Sequence, residues 1–86
     1  MPKFRKKPVV IEAVRWDKGR NTYDQVEQWG AASEHCTVSS VAGALVIDTL
    51  EGAMTANIGD WIIRGVKGEL YPIKDQIFQE TYEPAE

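Results

Sequence analysis

His35 and Cys36 stand side by side and are the chain's single histidine and single cysteine, so chemistry that needs an imidazole or a thiol has to begin there. A structural or catalytic transition-metal site takes three or four such ligands at helical or hairpin spacing, and this pair supplies at most two. Adjacent residues on a strand also point to opposite faces, which keeps the two side chains from sharing a proton as nucleophile and base. Cys36 has no second cysteine to pair with, so stability falls to packing. The carboxylates are scattered, and no spacing brings a nucleophile, a base and an orienting group together. The residues therefore offer no metal-ligand set, no cofactor site and no catalytic group.

The densest remaining stretch is "GDWIIRGVKGELYP", residues 59–72. Its glycines lack the Gly-Lys-Ser/Thr order of a phosphate loop, and no strand-to-helix turn surrounds them, so they mark turn geometry. Val66 resists the positive φ of a tight primed turn, which favours a four-residue loop from Gly65 to Gly68. With that loop Arg64 faces Glu69, Ile62 faces Tyr71 and Asp60 faces Ile73, while Trp61, Ile63 and Leu70 point the other way into the core. An opposed Arg–Glu pair contributes only about 0.2–1 kcal/mol and is common on solvated hairpins. Joined with an aromatic ring and exposed aliphatics, however, it has the composition of a contact surface. The candidate binding residues are thus Asp60, Ile62, Arg64, Glu69, Tyr71 and Ile73, with Lys67 at the loop tip.

The elements that must position this hairpin read as follows. "VVIEAVRW", Val9 to Trp16, is β-branched and apolar on both faces, as in an interior strand that buries Trp16. Thr22 and Gln25 form a capping-box pattern, and Tyr23, Val26 and Trp29 share a face before Gly30, predicting a short helix over Thr22 to Trp29. Residues 31–43 are weakly patterned, with a loop and one short strand around Thr37 to Ser39. "ALVIDTLEGAMTANI" reads as a hairpin turning at Glu51-Gly52, with Leu50 opposite Ala53. That register puts Leu45, Ile47, Met54, Ala56 and Ile58 on the buried side and leaves Asp48 opposite Thr55 on the other. After a helical turn at Asp75, Phe78, Glu80 and Tyr82 alternate as in a strand, and Pro84 ends the pattern.

Eighty-six residues suit one small domain, residues 1–86, with residues 1–7 as a basic arm and 84–86 as a tail. The expected class is α+β: one mostly antiparallel sheet of four to six strands with one short helix packed on it. A small, partly open barrel of the same strands is the alternative. The net charge of −3 repels phosphate backbones overall. Lys3, Arg5, Lys6 and Lys7 make a local positive arm without a motif for reading bases, so sequence-specific nucleic-acid binding is not expected. No apolar run reaches the roughly 20 residues of a membrane helix. The basic-then-apolar start is interrupted by Glu12 and Arg15, unlike a secretory signal, and points to the cytoplasm. A short chain without disulfide or metal gains core by association, so a homo-oligomer, most simply a dimer, is expected.

"FRKKPVVIEAVRW" together with "LEGAMTANIGDWIIRGVKGELYPIKDQIFQETYEP" resembles a widespread family of small bacteriophage and prophage proteins of unassigned function. The likeness spans about the first 16 and last 37 residues and is specific when both parts occur together. Gly59, Asp60, Trp61, Gly65, Gly68, Glu69, Tyr71, Pro72, Phe78, Tyr82 and Glu83 fall on the family's pattern. Ile73 departs from it, standing where a cysteine is frequent, which speaks against a thiol role there. The resemblance implies a phage setting, and with it the cytoplasm of an infected host, but no activity and no catalytic residues. Residues and resemblance together point to a non-enzymatic accessory protein that binds a host or phage protein or a small ligand. A virion or assembly component is the alternative, and a small enzyme the second.

Overall fold

The computed structural model describes residues 2–3, 10–33 and 36–83. In chain order these form β1 (Glu12–Arg15), α1 (Arg20–Ala31), β2 (Thr37–Val41), β3 (Ala44–Thr49), β4 (Gly52–Ala56), β5 (Trp61–Arg64), β6 (Leu70–Ile73) and α2 (Asp75–Thr81). The strands make two antiparallel sheets of three, in the orders β1-β5-β6 and β2-β3-β4. The α+β class and the antiparallel strands agree with the sequence. The strands divide between two sheets, and a second helix closes the chain.

One core joins the two sheets and α1. Ile62 and Leu70 come from the first sheet, Leu45, Ile47 and Ala56 from the second, Val26 and Trp29 from α1, and Trp16 from the end of β1. Trp16 is 1% exposed, and its indole N–H is satisfied by the Gly43 carbonyl at 3.0 Å, as a buried tryptophan requires. Among the described residues no helix is long and apolar enough to cross a membrane.

Several local expectations give way to tertiary context. Among the described residues β1 pairs only with β5, which makes it an edge strand there and not the interior strand expected, and Val10 ahead of it is exposed. Val9 and the basic residues Arg5, Lys6 and Lys7 lie outside the described residues, as do His35 and the tail from 84 to 86. α1 starts two residues before Thr22. Its entry is tied by Asp17, whose carboxylate accepts the Gly19 N–H at 2.8 Å, and this bond is the first reason that its pKa lies below the usual value. Gly30 lies inside the helix, not after it. A Cβ there would sit 3.1 Å from a Val38 methyl, so glycine at this point lets α1 approach β2.

Within the weakly patterned middle, the short strand expected around Thr37 to Ser39 is present as β2, Thr37–Val41. β2 and β3 join through Ala42 and Gly43, both at positive φ (52° and 86°), the geometry of a two-residue primed turn. The next turn falls at Leu50-Glu51, with Thr49 opposite Gly52. It lies one residue before the expected Glu51-Gly52, so Asp48 faces Ala53 and Thr55 faces Val46. Leu45, Ile47, Met54 and Ala56 still face inward, whereas Ile58 is 61% exposed in the turn beyond β4. The alternation expected over Phe78, Glu80 and Tyr82 is replaced by α2, on which Phe78 and Tyr82 lie on one side.

Candidate functional site

The β5–β6 hairpin closes through three residues, Val66-Lys67-Gly68. The Gly65 N–H meets the Glu69 carbonyl at 2.8 Å, the Gly68 N–H meets the Gly65 carbonyl at 3.0 Å, and Gly68 supplies the left-handed φ of 84°. This is a turn followed by a left-handed residue, the common three-residue hairpin loop. It sets Arg64 opposite Leu70, Ile63 opposite Tyr71, Ile62 opposite Pro72 and Trp61 opposite Ile73. A loop one residue shorter than expected moves the pairing by one, and a one-residue slip exchanges the faces.

The expected mixed face is therefore not one surface. Ile62, 0% exposed, enters the core with Leu70, on the side that also bears Arg64 and Pro72. Arg64 pairs with Glu12 of β1 at 3.5 Å instead of Glu69. Asp60 is only 7% exposed. Its Oδ2 accepts the Asn57 N–H at 2.9 Å and Lys74 Nζ at 3.1 Å, which makes it a structural anchor. Trp61, Ile63, Tyr71 and Ile73 share the opposite face, so Ile63 is buried outside the main cluster.

That opposite face is roofed by α2. Phe78 stacks on Trp61 with centroids 3.9 Å apart and planes 7° from parallel, and Tyr82 leans on Phe78 at 5.3 Å. The Trp61 indole N–H donates to Asp75 Oδ1 at 2.7 Å, and this bond is the main reason the Asp75 carboxyl titrates below its usual range. Burial first, then the neighbouring Tyr82 and the Glu69 charge, push the Tyr71 phenol up to about 12. Tyr71 and Ile73 are half-buried on this face, and of the seven expected residues only Lys67 and Glu69 are exposed.

What the tertiary structure does assemble is a groove of about 350 Å³ between the outer edge of β6, the β3–β4 turn and the end of α1. Met54, Leu50, Leu70 and Tyr71 supply apolar surface beside Ser33, Cys36, Thr49 and Glu51, and Glu69 borders the groove while its carboxylate turns back over Gly65. Burial, and secondarily the Asp48 charge, push the Cys36 thiol up, so it remains a neutral wall and not a thiolate. Two of the expected residues, Glu69 and Tyr71, belong to this groove. Cys36, Leu50 and Met54 were not legible as its partners, because no linear spacing connects them. Among the described residues no three His, Cys, Asp or Glu side chains converge to hold a metal.

Compared with protein-family models, with curated proteins and with solved structures, the chain matches none.

Proposed function

We propose that this protein is a small non-enzymatic accessory protein of phage or prophage origin. In this reading it works in the host cytoplasm by binding a host or phage protein or a small ligand in the groove bordered by Glu69 and Tyr71. The observation that carries the proposal is the groove itself, about 350 Å³ lined by Met54, Leu50, Leu70 and Tyr71. It is the size of a small-ligand site or of a pocket for a few side chains, and it combines apolar area with a few polar groups for orientation. The phage setting rests on the joint N-terminal and C-terminal sequence resemblance. The binding role rests on the meeting of two sheets and a helix end around concave apolar surface.

The test is affinity capture from infected-host lysate with the wild type and with a Leu50→Asp plus Glu69→Lys variant. Both positions are exposed, so the variant keeps its melting curve. We expect a retained protein or ligand that the folded variant releases. Equal retention by both would remove the groove from the proposal.

A further inference from the structure

We infer that α2 is a hinged lid that opens and closes over Trp61 while the rest of the fold stays intact. This device is independent of the groove and of what the groove binds. It follows from how little holds the helix. No residue of α2 is buried, and all of them except Asp75 and Phe78 are exposed. α1, by contrast, sinks Val26, Trp29 and Gly30 into the protein. The seven residues of α2 also fall well short of the roughly 12–15 at which an isolated helix becomes even marginal in water. α2 therefore keeps its shape only while it is docked.

The docking contacts converge on one side chain. Phe78 stacks on the Trp61 ring at 3.9 Å. Among the described residues, the only side-chain hydrogen bond from α2 to a strand is the one in which Asp75 Oδ1 accepts the Trp61 indole N–H. Both contacts are lost together when the helix lifts, so the segment opens as a unit. The pivot is equally defined. β6 ends at Ile73 and α2 begins at Asp75, which leaves Lys74 alone between them, with no side-chain cap on the helix. Lys74 is tied to buried Asp60 at 3.1 Å, so the joint stays on the sheet while the helix moves. Of the three tryptophans, Trp16 and Trp29 are 1% and 6% exposed and stay enclosed in both states. The lid gates the third, whose ring face under Phe78 and whose N–H come free only when α2 is open.

Native-state hydrogen exchange of the full chain, followed by NMR, tests the lid. The Phe78 and Tyr82 amides donate to the Lys74 and Phe78 carbonyls, each at 2.9 Å. They should exchange about 100-fold or more faster than the Ile47 and Ile63 amides of the two central strands, yet about tenfold or more slower than in an unstructured chain. Phe78→Ala should speed Tyr82 exchange about tenfold, bring Trp61 within reach of acrylamide quenching, and leave exchange at Ile47 and Ile63 unchanged. Asp75→Ala, which removes only the acceptor, should act in the same direction. Exchange of the two α2 amides in step with Ile47 and Ile63 would overturn the lid, because the helix would then open only with global unfolding. Exchange at the unstructured rate would overturn it as well, because the helix would never be closed. A Phe78→Ala variant that speeds Ile47 and Ile63 as much as Tyr82 would show α2 to be part of the core's cooperative unit and would equally end the proposal.

Discussion

Asp60 ties three parts of the chain together. Its carboxylate holds the Asn57 N–H and Lys74, and its backbone carbonyl accepts the Trp16 N–H at 2.8 Å, linking the β4–β5 turn, the start of α2 and the end of β1. Removing the carboxylate strands a part-buried N–H, so Asp60→Ala should cost about 2–3 kcal/mol, lowering the melting temperature by roughly 10–20 °C. Lys74 has a side chain that is 62% exposed. Lys74→Met should therefore stay within about 1 kcal/mol of wild type, and thermal melts of the two variants check the contrast. Tyr71 brings a pH dependence of definite sign. Its phenol ionises near 10 in an unfolded chain and is pushed up to about 12 in the fold, so the folded state holds the proton more tightly. The stability this contributes is complete below about pH 10 and is lost as pH rises towards about 12. Tyr71→Phe should flatten that alkaline loss, measured as denaturant midpoints across the window alongside phenolate absorbance.

The turns decide what the elements present. In the β3–β4 hairpin the expected and observed loops both hold two residues, so moving the turn from Glu51-Gly52 to Leu50-Glu51 shifts the pairing by an even step, and Leu45, Ile47, Met54 and Ala56 keep their side. In the β5–β6 hairpin the loop has three residues and not four, the shift is odd, and Ile62 exchanges places with Trp61 and Ile63. The β2–β3 turn invites a direct test. Ala42 is held at φ 52°, a region that costs an L-residue with a Cβ about 1–2 kcal/mol and that asparagine enters more readily. Ala42→Asn should therefore stabilise the protein by about 0.5–1 kcal/mol, read as a melting temperature raised by a few degrees. A lower melting temperature would mean that the turn is not primed. Pro72 shows a different local device. Alternation from the Gly65–Glu69 bond directs its missing N–H to the outer side of β6, where an edge strand loses a donor that another strand could use.

For the whole molecule, association is the open proposal. Val10, Val41, Leu50, Ile58, Val66 and Ile77 are each more than half exposed, and β1 leaves the outward backbone groups of Ala13 and Arg15 unpaired within its sheet. For a chain of 9.7 kDa with one small core, burying such surface against a second copy is the simplest gain. Sedimentation equilibrium at micromolar concentration should give twice the chain mass. A monomer mass at that concentration would remove the dimer from the proposal.

The sequence by itself determined the class of the fold and most of its buried residues. β-branched alternation, an amphipathic helix through Val26 and Trp29, and turn residues at regular intervals are local signals that hold wherever the chain folds. Only the tertiary structure decided which hairpin face Tyr71 occupies, since a single residue in a loop reverses a strand and turn propensities do not resolve that difference. α2 formed where alternation suggested a strand because Phe78 could stack on Trp61 and Asp75 could accept its N–H, contacts between segments that no local window contains. The groove has the same origin. Cys36, Leu50, Met54 and Tyr71 come from four separate places in the chain, and two sheets and a helix had to meet before their side chains shared one space.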